Sequence, residues 1–231
     1  MNARYALYFA PAETSPLWRS GSTWLGRDAC SGASLPQPGI PGMTAERLHV
    51  LTASPRRYGL HATLKPPFRL ADGVRPEMLV DAIGTLASHL QPFTLPALSV
   101  AMLSDFIALR TRGQADALQT LADRCVAELD RFRRPPGTQE LAKRRTHALT
   151  SAQNALLQRY GYPYVMSEWR FHITLSEPIF GAERDLLLQW VADYFAGALS
   201  TPTRCDDVCL FVQQDAQPVF VLHSRFTFGQ R

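Results

Sequence analysis

An α+β fold, with two pseudo-symmetric β-α-β-β lobes and antiparallel sheets around a central cleft, is the architecture that these 231 residues imply. Three observations carry it. The phrase His-x-Thr-Leu occurs twice, as His61-Ala62-Thr63-Leu64 and as His172-Ile173-Thr174-Leu175, 111 residues apart. Each copy is followed by apolar residues at helical spacing and then by two strand-like segments. The lengths nearly match, with Phe106 lying 45 residues after His61 and Phe220 lying 48 after His172. A motif, a helix and a hairpin in one order, twice, make an internal repeat. The repeats are expected over about 55–112 and 166–230 of a single domain, 1–231, with a helical insert over about 114–162.

Taken along the chain, "ARYALYFAP" at 3–11 alternates and carries aromatics, which predicts a strand. The stretch 20–43 is rich in Gly, Ser and Pro and reads as a loop. A short helix is expected from Thr44 to Thr52. In "RRYGLHATLKPPF", His61 and Thr63 are two apart and share a strand face, and Pro66-Pro67 is expected to end regular pairing. Pro76 opens a helix whose Met78, Leu79, Ala82, Ile83 and Leu86 recur at helical spacing, and "FTLPALSVAML" with "DFIALRT" reads as a hairpin.

In the insert, Leu118, Leu121, Ala122, Cys125, Leu129 and Phe132 form one apolar stripe. Thr150-x-x-Gln153 reads as a capping box for a short helix ending at Gly161. The basic run 131–145, with Arg131, Arg133, Arg134, Lys143, Arg144 and Arg145, is either a solvated helix end or a flap facing a phosphate. After His172, the segment 182–199 places Leu186, Leu187, Trp190, Val191 and Tyr194 at helical spacing, and "DDVCLFVQQD" with "PVFVLHSRFTF" gives the second hairpin.

Hydrophobic residues make up 46% and charged residues 19%, enough for a sizeable core and too apolar for disorder. The net charge is +4, from 22 arginines and two lysines against 20 acidic residues. The planar Arg fork suits an anionic substrate, and coding bias produces the same preference. No stretch supplies the roughly 20 apolar residues of a membrane span, so a soluble, cytoplasmic protein without a membrane partner is expected, as a monomer. Cys30, Cys125, Cys205 and Cys209 form no CxxC pair and read as reduced thiols; Cys205, Cys209 and His223 lack evident further ligands for zinc.

If the repeats pack about a twofold axis, the motif strands lie side by side and His61 and His172 face one cleft with Thr63 and Thr174. Two imidazoles about a common centre suit in-line attack at phosphorus: one takes the proton of the nucleophile, the other protonates the leaving oxygen. Hydroxyl and Arg donors hold the phosphoryl oxygens. No carboxylate occupies a matched position in both motifs, since Glu177 follows only the second and Pro66-Pro67 stands after the first. Neither a metal nor another cofactor is therefore expected. Arg57, just before the first motif, Lys65, two beyond Thr63, and Arg170, two before His172, are further candidates for the phosphate. Tyr58, Tyr164, Arg144 and Arg145 are candidates for other substrate contacts. His49, His89, His147 and His223 lack the motif context and are expected to be structural or exposed.

The paired H-x-T motifs in duplicated halves resemble the 2H phosphoesterase superfamily, which includes cyclic nucleotide phosphodiesterases and bacterial 2′–5′ RNA ligase-like proteins. The resemblance spans essentially the whole chain and places that family's two motifs on His61/Thr63 and His172/Thr174. The phrases "YGLHATLKPPFRL", "ELAKRR" and "GYPYVMSEWRFHITL" further resemble a bacterial branch whose members are commonly encoded beside phosphonate-utilisation genes. The resemblance implies metal-independent phosphodiester chemistry on a small phosphorylated molecule, such as a cyclic phosphate of a sugar or nucleotide. The insert is longer than in minimal RNA-processing members. An RNA-end enzyme, ligase-like or a phosphodiesterase, is the first alternative, favoured by the basic run. A binder of phosphorylated ligands without turnover is the second.

Overall fold

The computed structural model describes residues 3–145, 148–215 and 217–230, so His147 lies outside the described residues. Its first strand, β1 (Arg4–Phe9), is buried at every position after Arg4 because it runs inside the sheet with both faces covered. The chain then makes α1 (Pro16–Leu25), where a loop was expected from residue 20. The signals are local: Ser15 accepts from the Trp18 N–H, Pro16 occupies the first turn, and Gly26 closes the helix at φ 76°. Gly21 presents its bare backbone to Leu60, where a side chain would collide, and so lets α1 sit against the residue before His61.

Next come α2 (Ala45–Leu51), capped by Thr44, and α3 (Ala53–Tyr58). Each motif then opens the same series. The first gives β2 (Ala62–Phe68), α4 (Pro76–Ser88), β3 (Phe93–Thr94) and the hairpin β4 (Leu98–Leu103) with β5 (Phe106–Thr111). The insert holds α5 (Asp116–Glu128), α6 (Thr138–Arg144) and α7 (Ser151–Tyr160), the last with both bonds of the Thr150/Gln153 capping box. The second series is β6 (Ile173–Thr174), α8 (Ala182–Leu199), β7 (Arg204–Cys205) and the hairpin β8 (Asp207–Gln213) with β9 (Val221–Thr227).

The seven main strands form one antiparallel sheet in the order β4-β5-β6-β2-β1-β8-β9. The halves exchange hairpins: β5 of the first half pairs with β6 of the second, and the hairpin of the second half joins the first through β1. The short strands β3 and β7 pair with each other and tie the halves a second time. The expected two lobes are thus two wings of one sheet, meeting where Ala62 pairs with Ile173.

Pro66-Pro67 does not end β2. The strand continues to Phe68, with irregular register between Tyr5 and Leu7 and again between Leu7 and Tyr8 of β1. A bulged strand tolerates prolines because its extra residues form no ladder bond. One face of the sheet carries the main core, where Leu7, Phe9, Ala62, Leu64 and Ile173 pack with residues of α1, α4, α5 and α8. The other face carries a smaller cluster around Ala6, Tyr8, Phe211 and Phe220. No helix among the described residues is long and apolar enough to cross a membrane.

Candidate active site

The single residue pair joining the wings sets the geometry. Ala62 and Ile173 are opposite each other and fully buried in the main core. Their neighbours on each strand point to the other face. Antiparallel register then puts His61 across from Thr174, and Thr63 across from His172. Directly opposed residues lie about 5 Å apart between Cα atoms, and diagonal ones about 7–8 Å. The two histidines hold one diagonal of this square and the two threonines the other.

Both imidazoles are held in the same way. Nδ1 of His61 lies 2.8 Å from the Gly59 carbonyl, and Nδ1 of His172 lies 2.8 Å from the Arg170 carbonyl. A carbonyl only accepts, so Nδ1 carries the hydrogen in each ring and Nε2 is left for chemistry. Gly59 reaches this position at φ 81°, and a side chain there would strike Ala29. The His61 ring is half-buried on Tyr8, with centroids 3.9 Å apart. Burial pushes its pKa down to about 4, with the charges of His172 and Arg27 acting in the same direction against the bond to Gly59. Burial also lowers His172, assisted by Arg110. The charge of one histidine thus bears on the other.

A cavity of about 230 Å³ opens over three corners of this square, and His172 stands outside its lining. His61, Thr63, Thr174, Tyr58 and Arg144 line it together with Arg4, Tyr8 and Tyr162. No group among the described residues takes up the hydroxyl of Thr63 or Thr174. The Trp169 indole donates to the Thr63 carbonyl at 2.7 Å and so pins the approach to His172 onto the other motif strand. Tyr58 stacks on Phe220 at 5.2 Å, which fixes its ring at the rim.

Five sequence candidates sit elsewhere, each for a physical reason. Lys65 is turned away by the bulge: it pairs with Leu7, whereas Thr63 pairs with Tyr8, so it falls on the opposite side from the two-residue alternation. It is buried below the sheet, donating to the Val126 carbonyl at the end of α5 and pairing with Asp130 at 3.3 Å. Burial lowers it to about 8. Arg57 is exposed and donates to the Pro218 carbonyl. Arg170 precedes β6, and its side chain is folded back onto the preceding turn. Its guanidinium donates to the Ser167 and Trp169 carbonyls, and only its backbone oxygen serves the histidine. Tyr164 is exposed and meets Tyr162 edge-on, and Tyr162 occupies the cavity wall in its place. Arg145 is exposed at the end of α6, one residue off the face that carries Arg144. Glu177 accepts from the Ser54 N–H and is spent on that contact.

The sequence reading missed Tyr8, Tyr162, Arg4 and Arg27. Tyr8 looks like core in a strand of aromatics, yet its hydroxyl is buried at the cavity without a partner among the described residues. Burial raises its pKa well above the usual phenol value, so it remains an O–H donor. Arg27 is buried and donates to the carbonyls of Arg56, Arg57 and Phe220, which fixes the end of α3 ahead of His61. Nothing in the residues around Arg27 shows this, because its partners are distant in sequence.

The family model described as "Protein of unknown function (DUF1045)" matches residues 63–221. The chain belongs to the DUF1045 family. It is 39% identical over 230 residues to a protein of Janthinobacterium sp. (strain Marseille) named ribose 1,5-bisphosphate phosphokinase PhnN, covering 98% of this chain and 51% of that protein. A protein of the same name from Laribacter hongkongensis (strain HLHK9) is 36% identical over 220 residues, covering 95% of this chain and 50% of that one. The chain therefore spans about half the length of these curated relatives. Among solved structures, a phosphoesterase aligns over 100% of both chains at 14% identity and a TM-score of 0.45. LigT of E. coli in complex with 3′-AMP aligns over 99% of both at 16% identity and a TM-score of 0.41.

Proposed function

We propose that this DUF1045 chain is a metal-independent phosphodiesterase that opens a cyclic phosphate of a small phosphorylated sugar or nucleotide. The observation that carries the reading is the crossed register, with two Nδ1-tethered histidines on one diagonal and two unengaged threonine hydroxyls on the other. A phosphoryl group centred on the square meets an imidazole Nε2 on either side and a hydroxyl toward each of two oxygens. His61, held neutral, takes a proton from water as its oxygen bonds to phosphorus. His172 gives a proton to the sugar oxygen as the ring P–O bond breaks. Thr63, Thr174 and the Tyr8 hydroxyl donate to the phosphoryl oxygens as negative charge grows there.

The relatives' name refers to ribose 1,5-bisphosphate, and this favours a pentose as the sugar. A cyclic phosphate spanning O1 and the neighbouring O2 of a 5-phosphorylated ribose opens to that bisphosphate when water enters and O2 leaves. The bacterial branch that the sequence resembles places such chemistry in phosphonate use.

The test is incubation of the pure protein in EDTA with a panel of cyclic sugar phosphates, cyclic nucleotides and short RNAs ending in a cyclic phosphate, followed by phosphorus NMR. Ring opening of the small substrates with the chelator present is expected. Turnover lost in EDTA and restored by zinc or manganese would move the chemistry to a metal. Preference for the RNAs, or binding without product, would replace the reading with one of its two alternatives.

The pH profile gives a second check. The base must be neutral, so activity falls as pH drops through the His61 value of about 4. The acid must be charged, so activity also falls as pH rises through the His172 value, which is lowered from 6.5. For kcat/KM a bell on the acid side of neutrality is expected, its limbs belonging to the coupled pair. The kcat bell should lie at higher pH, because bound phosphate raises both histidines. An alkaline limb of kcat/KM above about 7 would contradict this assignment.

A further inference from the structure

We infer that the arginine-lined cavity beside the histidine site binds a second phosphate of the substrate, so that the molecule opened carries a cyclic phosphodiester at one end and a phosphomonoester at the other. This rests on the reading of the histidine site given above. The cavity measures about 460 Å³ and shares Arg4, Pro66, Pro67 and Arg144 with the smaller one over His61. The two are therefore adjoining compartments. Thr63 and Pro66 are three residues apart on β2, roughly 10 Å along a strand. A five-carbon sugar with a phosphate at each end bridges such a span.

Six cations line the second compartment: Arg4, Lys65, Arg69, Arg133, Arg134 and Arg144. They come from β1, β2 and its continuation, the segment after α5, and α6, so convergence in space and not one basic run produces the charge. Carboxylates among the described residues answer four of them. Asp130 serves both Lys65 and Arg133, Glu140 pairs with Arg144 at 2.9 Å, and Asp215 stands 3.8 Å from Arg69. Arg4 has a neutral partner, Gln213. The side chain of Arg134 has no acceptor among the described residues. A solvated helix end would leave its guanidinium groups in water, yet Arg133 is only 11% exposed and Arg144 21%. Nε of Arg144 is buried with no acceptor among the described residues, and the guanidinium covers the Tyr162 ring at 5.0 Å. An unanswered N–H on the wall shared by both compartments is a donor awaiting an anion. Planar guanidinium forks hold a terminal phosphate bidentately, and a dianionic monoester offers three oxygens for them. Pro66 and Pro67 bring no N–H groups to the dividing wall and leave recognition to the side chains.

Calorimetric titration with ribose 1-phosphate, ribose 1,5-bisphosphate and inorganic phosphate tests this without requiring turnover. The bisphosphate is expected to bind at least about 30-fold more tightly than the monophosphate, a gain in line with charge-assisted bonds to arginine. Arg134→Gln, at an exposed position that leaves folding alone, should reduce that ratio several-fold and leave ribose 1-phosphate binding unchanged. Equal affinities for the two sugars would overturn the inference. So would a loss of the same size for both in Arg134→Gln, which is the mark of a diffuse field. Inorganic phosphate that binds as well as the second phosphate does, and speeds turnover of a cyclic monophosphate in trans, would make this a regulatory anion site and overturn it too. A bisphosphate preference with no ring opening of any cyclic probe would leave the subsite standing and remove the catalytic reading. Ring opening with KM unaffected by a 5-phosphate would do the reverse.

Discussion

His61→Ala and His172→Ala are each expected to lower turnover by at least about 100-fold, the lower range for loss of general acid–base catalysis. The two losses should differ in kind. In the free site, burial together with the His172 and Arg27 charges presses His61 down to about 4. Burial and Arg110 also lower His172, which has no Arg27 charge acting on it. On the proposed reading His61 is the base and His172 the acid. A substrate with a low-pKa leaving group needs no acid. It should recover much of the lost rate in His172→Ala and little in His61→Ala. Neither ring carries the main core, so circular dichroism and melting should show both variants folded. Recovery in the His61 variant alone would reverse the roles. Equal recovery in both, or near-normal turnover in either, would remove the division of labour altogether.

What could be read from the chain alone followed the range of each interaction. The duplicated motif, the amphipathic helices and the hairpins are local patterns, and they appear where their periodicity put them, down to both bonds of the Thr150/Gln153 cap. The order motif, helix, hairpin was legible for the same reason. The exchange of hairpins between the halves was not, because strand order depends on long-range pairing. Lys65 shows where the two-residue rule stops. Counting from Thr63 places it in the cleft, and one bulged residue, Leu64, sends it to Asp130 instead. Arg170 fails at the other motif because it lies three residues before β6, where its guanidinium folds back onto the Ser167 and Trp169 carbonyls. Tyr8 was unreadable for a different reason. A buried strand of aromatics needs no explanation in sequence, and only the unpartnered hydroxyl beside His61 sets it apart. The α1 helix was legible in principle from Ser15, Pro16 and Gly26, but its Gly and Ser content suggested a loop.

Thr63→Val and Thr174→Val should each lower kcat with little change in KM, by roughly 2–4 kcal/mol of transition-state stabilisation if the hydroxyls act as oxyanion-type donors. The crossed register gives the reason. Each threonine stands across from the histidine of the other motif, so on the proposed reading its hydroxyl would meet the phosphoryl oxygens beside that imidazole. Neither hydroxyl is engaged by a group among the described residues, so removing it leaves none of those groups without a partner. Valine keeps the branched shape and the strand preference, and the melting temperature should hardly move. The two threonines lie on one diagonal, about 7–8 Å apart, close enough to serve one phosphoryl group and far enough to take different oxygens. The double variant should then lose about the product of the single effects. A loss no larger than either single variant would mean that both hydroxyls hold the same oxygen. The pH profile should keep both limbs in all three variants, because the proton-transfer pair is intact. Unchanged turnover in the double valine variant would show that the hydroxyls do not meet the phosphate, and the square of two histidines and two threonines would lose half of its chemistry.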